Sequence, residues 1–178
     1  TLIQREAEPA ERAFLDRAGR VSAAATMRAM ARTADGGTAL VEMKAVDAPY
    51  PLFGAVRLNP PLPLAEALAT RDGVFGAAAD PLLLARLNMK LGARVTIGEA
   101  TIESRATIAS EPDRLSAGGF GLGPRLLVGQ DALRATGLLQ PGSQVRWHYR
   151  LRLADNDASD AAVQRDQGRA LPHGGAVG

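Results

Sequence analysis

The stretch SQVRWHYRLRL, Ser143 to Leu153, constrains the fold more than any other. Val145, Trp147, Tyr149, Leu151 and Leu153 alternate with Arg146, His148, Arg150 and Arg152. A period of two sends successive side chains to opposite faces of a strand, so the stretch predicts one face against a core and one in water. Such a strand needs neighbours, and the chain must supply a sheet. On this reading Arg146, Arg150 and Arg152 form a solvated strand face. The formal net charge of +2 is too small to indicate nucleic acid as a partner.

The nearest partners are VSAAATMRAMART and TALVEMKAVD, two alternating arms around Asp35-Gly36-Gly37. They predict a long hairpin, although Ala23 to Ala25 would also suit a helix. A helix is expected before them, from about Pro9 to Ala18, with Glu8 ahead of Pro9, and Gly19 as a left-handed stop. Ala55 to Leu58 reads as a short strand, and the proline cluster Asn59 to Leu64 as a boundary between subdomains. Beyond it LAEALAT predicts a short helix and Gly73 to Ala77 a strand. In DPLLLARL, Asp80 caps a helix with Pro81 at its first position. Val95 to Ile97 and Ala100 to Ile108 predict strands joined at Gly98-Glu99. SEPDRLSAGGFGLG reads as loop, PRLLVG as a buried strand, QDALRATG as a helix stopped by Gly137, and Ser159 as the cap of a last helix. At 178 residues with 46% hydrophobic residues, one domain or two small ones can bury a core, built from small aliphatic layers because aromatics are only 4%. No apolar run approaches the ~18 residues of a membrane span. The abrupt ends and the lack of an initiator Met suggest a segment of something larger.

Signals for chemistry are weak. The chain has no cysteine and two histidines. His148 lies on a strand's polar face and His173 in a Gly/Pro-rich tail, so neither a zinc site nor a Ser–His–Asp triad is indicated. Catalytic, cofactor and metal-binding residues are all expected to be none. GGFGLGPR, Gly118 to Arg125, lacks the strand and helix of a dinucleotide fingerprint and the Gly-Lys-Ser/Thr of a phosphate loop. Glu103, Glu111 and Asp113 are the carboxylates that could serve acid–base work. An ion pair of Glu111 or Asp113 with Arg114 or Arg125 is the preferred reading. A hydrolase would need a nucleophile near His148, with Ser143 or Ser116 as the candidates. In EMKAVDAPYPLFG, Lys44 and Asp47 are three apart and fall on opposite faces of an extended chain. Tyr50 between two prolines reads as a packing anchor in a stiff turn.

Three phrases together resemble a known family. EMKAVDAPYPLFG, the run GVFGAAADPLLLARLNMKLGARVTIGEATIESRATIASEPDR, and GFGLGPRLLVGQDALRATGLLQPGSQVRWHYRLRL are similar to segments of bacterial ABC-transporter permeases of the FtsX/MacB superfamily, in particular the YbbP-like group. The likeness covers about residues 20 to 153. It departs from the pattern at Gly92-Ala93, where the family has Gly-Asp. The resemblance implies an α+β domain of the MacB periplasmic core type. A porter-like, ferredoxin-like βαβ subdomain (residues 1–58 and 139–178) would carry a smaller β-rich, sabre-like insert (59–138). It implies a non-catalytic role in the periplasm of an inner-membrane transporter, between the first two transmembrane helices. A cytoplasmic ABC ATPase would be the partner, and two copies would stand in the intact transporter, with the isolated domain a monomer. Lipid-like or hydrophobic cargo, or a periplasmic protein, would be the contact, with Tyr50, Leu52 and Phe53 as the surface candidates. A soluble esterase or thioesterase and a purely structural adaptor are the alternatives.

Overall fold

The computed structural model describes residues 2–3, 5–52, 54–112 and 123–153. A short strand β1 (Leu2–Ile3) precedes helix α1 (Pro9–Ala18), which spans the expected residues. Its start is closed by a capping box, in which the Glu8 N–H donates to the Glu11 carboxylate at 2.9 Å. Gly19 is not the left-handed stop that was expected. Its φ of 163° is extended, and it opens strand β2 (Gly19–Arg32). Glycine is needed there for a different reason: a Cβ would lie 2.1 Å from the Arg152 carbonyl oxygen.

Strand β3 (Thr38–Val46) returns along β2 in the predicted hairpin, from Arg32↔Thr38 to Ala24↔Val46, so Ala23 to Ala25 are strand. Strand β4 (Arg57–Asn59) begins two residues later than read from sequence, because its ladder starts only where Arg57 meets Ser110. Then come α2 (Leu64–Ala67), a two-residue strand β5 (Thr70–Arg71) and β6 (Val74–Ala79). Helix α3 (Pro81–Arg86) is capped as expected, with Asp80 Oδ1 accepting from the Leu82 N–H at 2.9 Å. Strands β7 (Arg94–Ile97) and β8 (Ala100–Ser110) turn at Gly98, whose φ is +55°. Strand β9 (Arg125–Gly129), helix α4 (Gln130–Ala135) and β10 (Arg146–Leu153) complete the order. The helix expected from Ser159 and the tail with His173 lie outside the described residues.

The strands form one mixed sheet in the order β1-β10-β2-β3-β9-β6-β8-β4, with β5 added on β6. β3 with β9 and β6 with β8 are the parallel pairs. β7 pairs with β8 and also meets the end of β2 at Arg32↔Thr96, so β2, β3, β9, β6, β8 and β7 close into a ring of neighbours. The sheet thus runs through both stretches assigned above to porter and insert. The α+β class holds. One sheet face builds the main core, from Ala39, Val41, Met43 and Ala45 of β3, Trp147 and Tyr149 of β10, and Leu83 and Leu133 of the covering helices. The opposite face carries a smaller core, in which Val46, Tyr50, Ile108 and Leu127 are packed by residues 56–68. On β10 the predicted alternation is present: Trp147 and Tyr149 are buried, and Arg146, Arg150 and Arg152 are exposed.

Candidate functional site

The side chains of β3 alternate between the two cores, so Glu42 and Lys44 share the face opposite Met43. Parallel pairing with β9 sets Arg125 in register with Glu42, and its Nη1 donates to Glu42 Oε1 at 2.8 Å. Beyond Val46 the chain reverses, with the Tyr50 N–H donating to the Asp47 carbonyl at 3.2 Å. This brings the Tyr50 hydroxyl back over β3. Lys44 Nζ donates to Tyr50 Oη at 2.8 Å and to Glu111 Oε1 at 3.0 Å, and lies 4.6 Å from the Tyr50 ring centroid. Glu111 follows directly on β8, and its side chain is 0% exposed. Its second oxygen is 3.3 Å from Arg125 Nε, a close ionic contact whose angle does not make a hydrogen bond. Glu42, Arg125, Glu111 and Lys44 therefore form a circuit of alternating charges, with Lys44 at 5% and Arg125 at 6% exposure and the Glu42 side chain, at its end, 23% exposed.

The sequence reading weighed Lys44 against Asp47, and strand geometry does send them different ways. Asp47 accepts from Ser22 Oγ at 2.8 Å and from the Ala23 N–H at 2.7 Å, which pins the end of β3 to β2. The partner that sequence reasoning missed is Glu111, which is 67 residues from Lys44. The preferred ion pair of Glu111 with Arg125 is present, while Asp113 and Arg114 lie outside the described residues. Chemically the circuit is a lock. Its charges are mutually compensated, all but Glu42 are shielded from solvent, and Lys44 spends its donors on acceptors instead of presenting a free amine. It also joins the phrases on which the resemblance rests: EMK, the tyrosine of APYP, the glutamate of EPDR and the arginine of GPR.

The remaining candidates disperse. Glu103 is held by Arg105 at 3.2 Å and Arg94 at 3.4 Å. The Arg105 hydrogen bond, opposed by burial, holds its carboxyl below the ordinary range. Because the folded pKa is lowered, this contribution is present above the ordinary value of 4.5 and is lost as pH falls through the folded value. Glu103→Gln should therefore flatten the acid side of the stability–pH curve, by about 0.2–1 kcal/mol for a partly exposed pair, in chemical denaturation series across that range. Ser143 Oγ donates to the Leu138 carbonyl at 2.7 Å and accepts from the Gln140 N–H at 2.9 Å, so it is committed to a turn. His148 Nε2 lies 3.4 Å from Thr26 Oγ1. Ser116 lies outside the described residues. Tyr50 is buried at 8% exposure, Leu52 is half-buried, and Phe53 lies outside the described residues. Among the described residues no three His, Asp or Glu side chains stand together as metal ligands. No helix among them is long and apolar enough to cross a membrane.

No family model matches the chain. Its fold is shared with an extracellular domain of an ABC-type transporter and with a permease domain. It superposes on the extracellular domain of the noncanonic ABC-type transporter YknZ from Gram-positive bacteria with a TM-score of 0.54, covering 89% of this chain and 80% of that one at 12% identity. It also superposes on a domain described as that of a permease from Porphyromonas gingivalis, with a TM-score of 0.50 over 86% of this chain and 65% of that one, again at 12% identity. The chain is homologous to part of the ABC transporter permease YbbP of Escherichia coli (strain K12), itself uncharacterized, and is 36% identical to it over 111 residues, 62% of the chain. That match spans only 13% of the permease's length. The sequence match thus agrees with the resemblance to YbbP-like ABC permeases, and the superpositions show the fold.

Proposed function

We propose that the chain is the periplasmic domain of a bacterial inner-membrane ABC permease, placed between its first two transmembrane helices. In this reading the domain catalyses nothing. It relays motion from ATP hydrolysis in a separate cytoplasmic subunit to a lipid-like or hydrophobic cargo, or to a periplasmic partner. The observation that carries the reading is the 36% identity to an ABC transporter permease over 111 residues. The charge circuit supports the relay. Glu42, Lys44 and Tyr50 come from the proposed porter stretch, and Glu111 and Arg125 from the proposed insert, so the lock ties the two together. A rigid joint of this kind passes displacement from one part to the other. Tyr50, Leu52 and Phe53 are the proposed contact for cargo or partner, with buried Tyr50 as the anchor. Two copies would serve in the transporter, and the domain alone would be a monomer.

The test uses the gene's complete permease, co-expressed with the neighbouring ATPase and purified through the permease. The ATPase should be retained, and the isolated domain should leave ATP, p-nitrophenyl esters and thioesters intact. A permease that retains no ATPase would sink the reading. So would ester hydrolysis by the domain that disappears in His148→Ala.

A further inference from the structure

The face of β2 and β10 that points away from the main core is strongly basic. Directly opposed residues in an antiparallel pair share a face. The register Arg146↔Thr26, His148↔Ala24, Arg150↔Ser22 and Arg152↔Arg20 therefore gathers these side chains on one surface, opposite Trp147 and Tyr149. Continuing along β2 adds Arg28 and Arg32. Arg20, Arg28, Arg32, Arg146, Arg150 and Arg152 are all exposed. From Arg20 to Arg32 the strand runs roughly 40 Å at about 3.3 Å per residue, with Ser22 at 3% and Ala24 at 6% exposure separating Arg20 from Arg28 and Arg32. Among the described residues, Glu42, the cross-strand partner of Arg28, is engaged by Arg125, and Asp47 by Ser22 and Ala23. Arg20 directly faces Arg152, a like-charge pair that works against strand pairing. Within the row sit two exposed apolar side chains, Met30 at 45% and Leu40 at 39%, which are cross-strand partners.

We propose that this face binds the anionic phospholipid surface of a membrane. Guanidinium groups make forked hydrogen bonds to phosphate oxygens and are less strongly hydrated than ammonium groups. A broad sheet face with cations spread along its length matches a plane of headgroups better than a compact acidic protein epitope. The Met30–Leu40 pair supplies apolar surface that the boundary between headgroups and acyl chains accepts. The net charge of the whole chain, +2, understates this local field, which decays within about a Debye length and so is sensitive to salt. The surface goes beyond the permease reading and does not depend on it.

The test is co-sedimentation of the 178-residue chain with vesicles of equal parts phosphatidylglycerol and phosphatidylcholine, at low and high salt, beside phosphatidylcholine alone. Binding is expected only to the anionic vesicles and should fall steeply with salt. The triple variant Arg28→Gln, Arg32→Gln, Arg146→Gln should lose binding on the order of 100-fold, from a loss of roughly tenfold or somewhat less per basic side chain. Arg12→Gln with Arg134→Gln, on helices over the other face, should bind as the parent does. Met30→Ser with Leu40→Ser should weaken binding while leaving its salt dependence unchanged. Thermal melts by circular dichroism confirm that each variant is folded. No binding to anionic vesicles at low salt overturns the proposal, as does a folded triple variant that binds like the parent. Binding to poly-L-glutamate in preference to vesicles would overturn it in favour of an acidic protein partner.

Discussion

Replacing Lys44 with methionine should destabilise the domain by about 3–5 kcal/mol, measured as a fall in the urea midpoint at unchanged slope. The cause is what the substitution leaves behind. Glu111 would keep a fully buried carboxylate whose one hydrogen-bonded cation has gone, left with the off-angle contact with Arg125 at 3.3 Å and a long hydrogen bond from the Tyr50 hydroxyl at 3.5 Å. A buried charge stripped of its partner costs far more than the pair contributes when intact, because the desolvation is no longer offset. Glu111→Gln should be comparably damaging from the other side, since Lys44 would lose the carboxylate it pairs with and Arg125 would keep only Glu42. The double variant Lys44→Met with Glu111→Leu separates this from simple loss of packing. It removes both charges, leaves the Arg125–Glu42 pair, and should recover much of the loss, giving a large coupling in the double-mutant cycle. Tyr50→Phe removes one acceptor from Lys44 and should cost only about 1 kcal/mol. A Lys44→Met variant within 1 kcal/mol of the parent, or strictly additive single effects, would show that the circuit is not a lock.

The contrast between what was legible in the sequence and what was not follows from range. The alternation at β10, the β2–β3 hairpin and the Asp80–Pro81 helix start depend on neighbours a few residues apart, and each formed as the local pattern dictates. Gly19 shows the limit of that logic. A glycine after a helix suggests a left-handed cap, but here its missing Cβ makes room for the Arg152 backbone, on a strand at the far end of the described chain. The charge circuit was half legible. Glu111 and Arg125 are close in sequence and oppositely charged, so their pairing could be proposed. Lys44 joins them only because β9 returns parallel to β3 and sets Arg125 beside Glu42. Nothing local in EMKAVD encodes that crossover. The basic face was visible as three alternating arginines on β10. Its extent was not, because Arg20, Arg28 and Arg32 fall into line with them only through the antiparallel register of β2.

The same strand supplies the second large effect. Met43 lies between Glu42 and Lys44 but points the other way, into the main core, where it is 0% exposed and among the largest fully buried side chains. Met43→Ala should cost about 2–5 kcal/mol, the transfer free energy of the lost atoms plus the cavity left behind. The upper part of that range is expected. Met43 sits on a central strand, hydrogen-bonded to β2 on one side and β9 on the other, with neighbours such as Leu126 held in paired backbone that cannot easily collapse into the gap. Leu40→Ala, three residues away on the same strand, should change stability by no more than about 0.5 kcal/mol, because Leu40 is 39% exposed on the basic face. Met43→Leu, of similar volume, should recover most of the loss if filling the space is what counts. Paired urea titrations of the three variants decide it. If Met43→Ala proved as mild as Leu40→Ala, the face of β3 taken as core would not carry the fold, and the alternation that places Lys44 in the circuit would lose its structural basis.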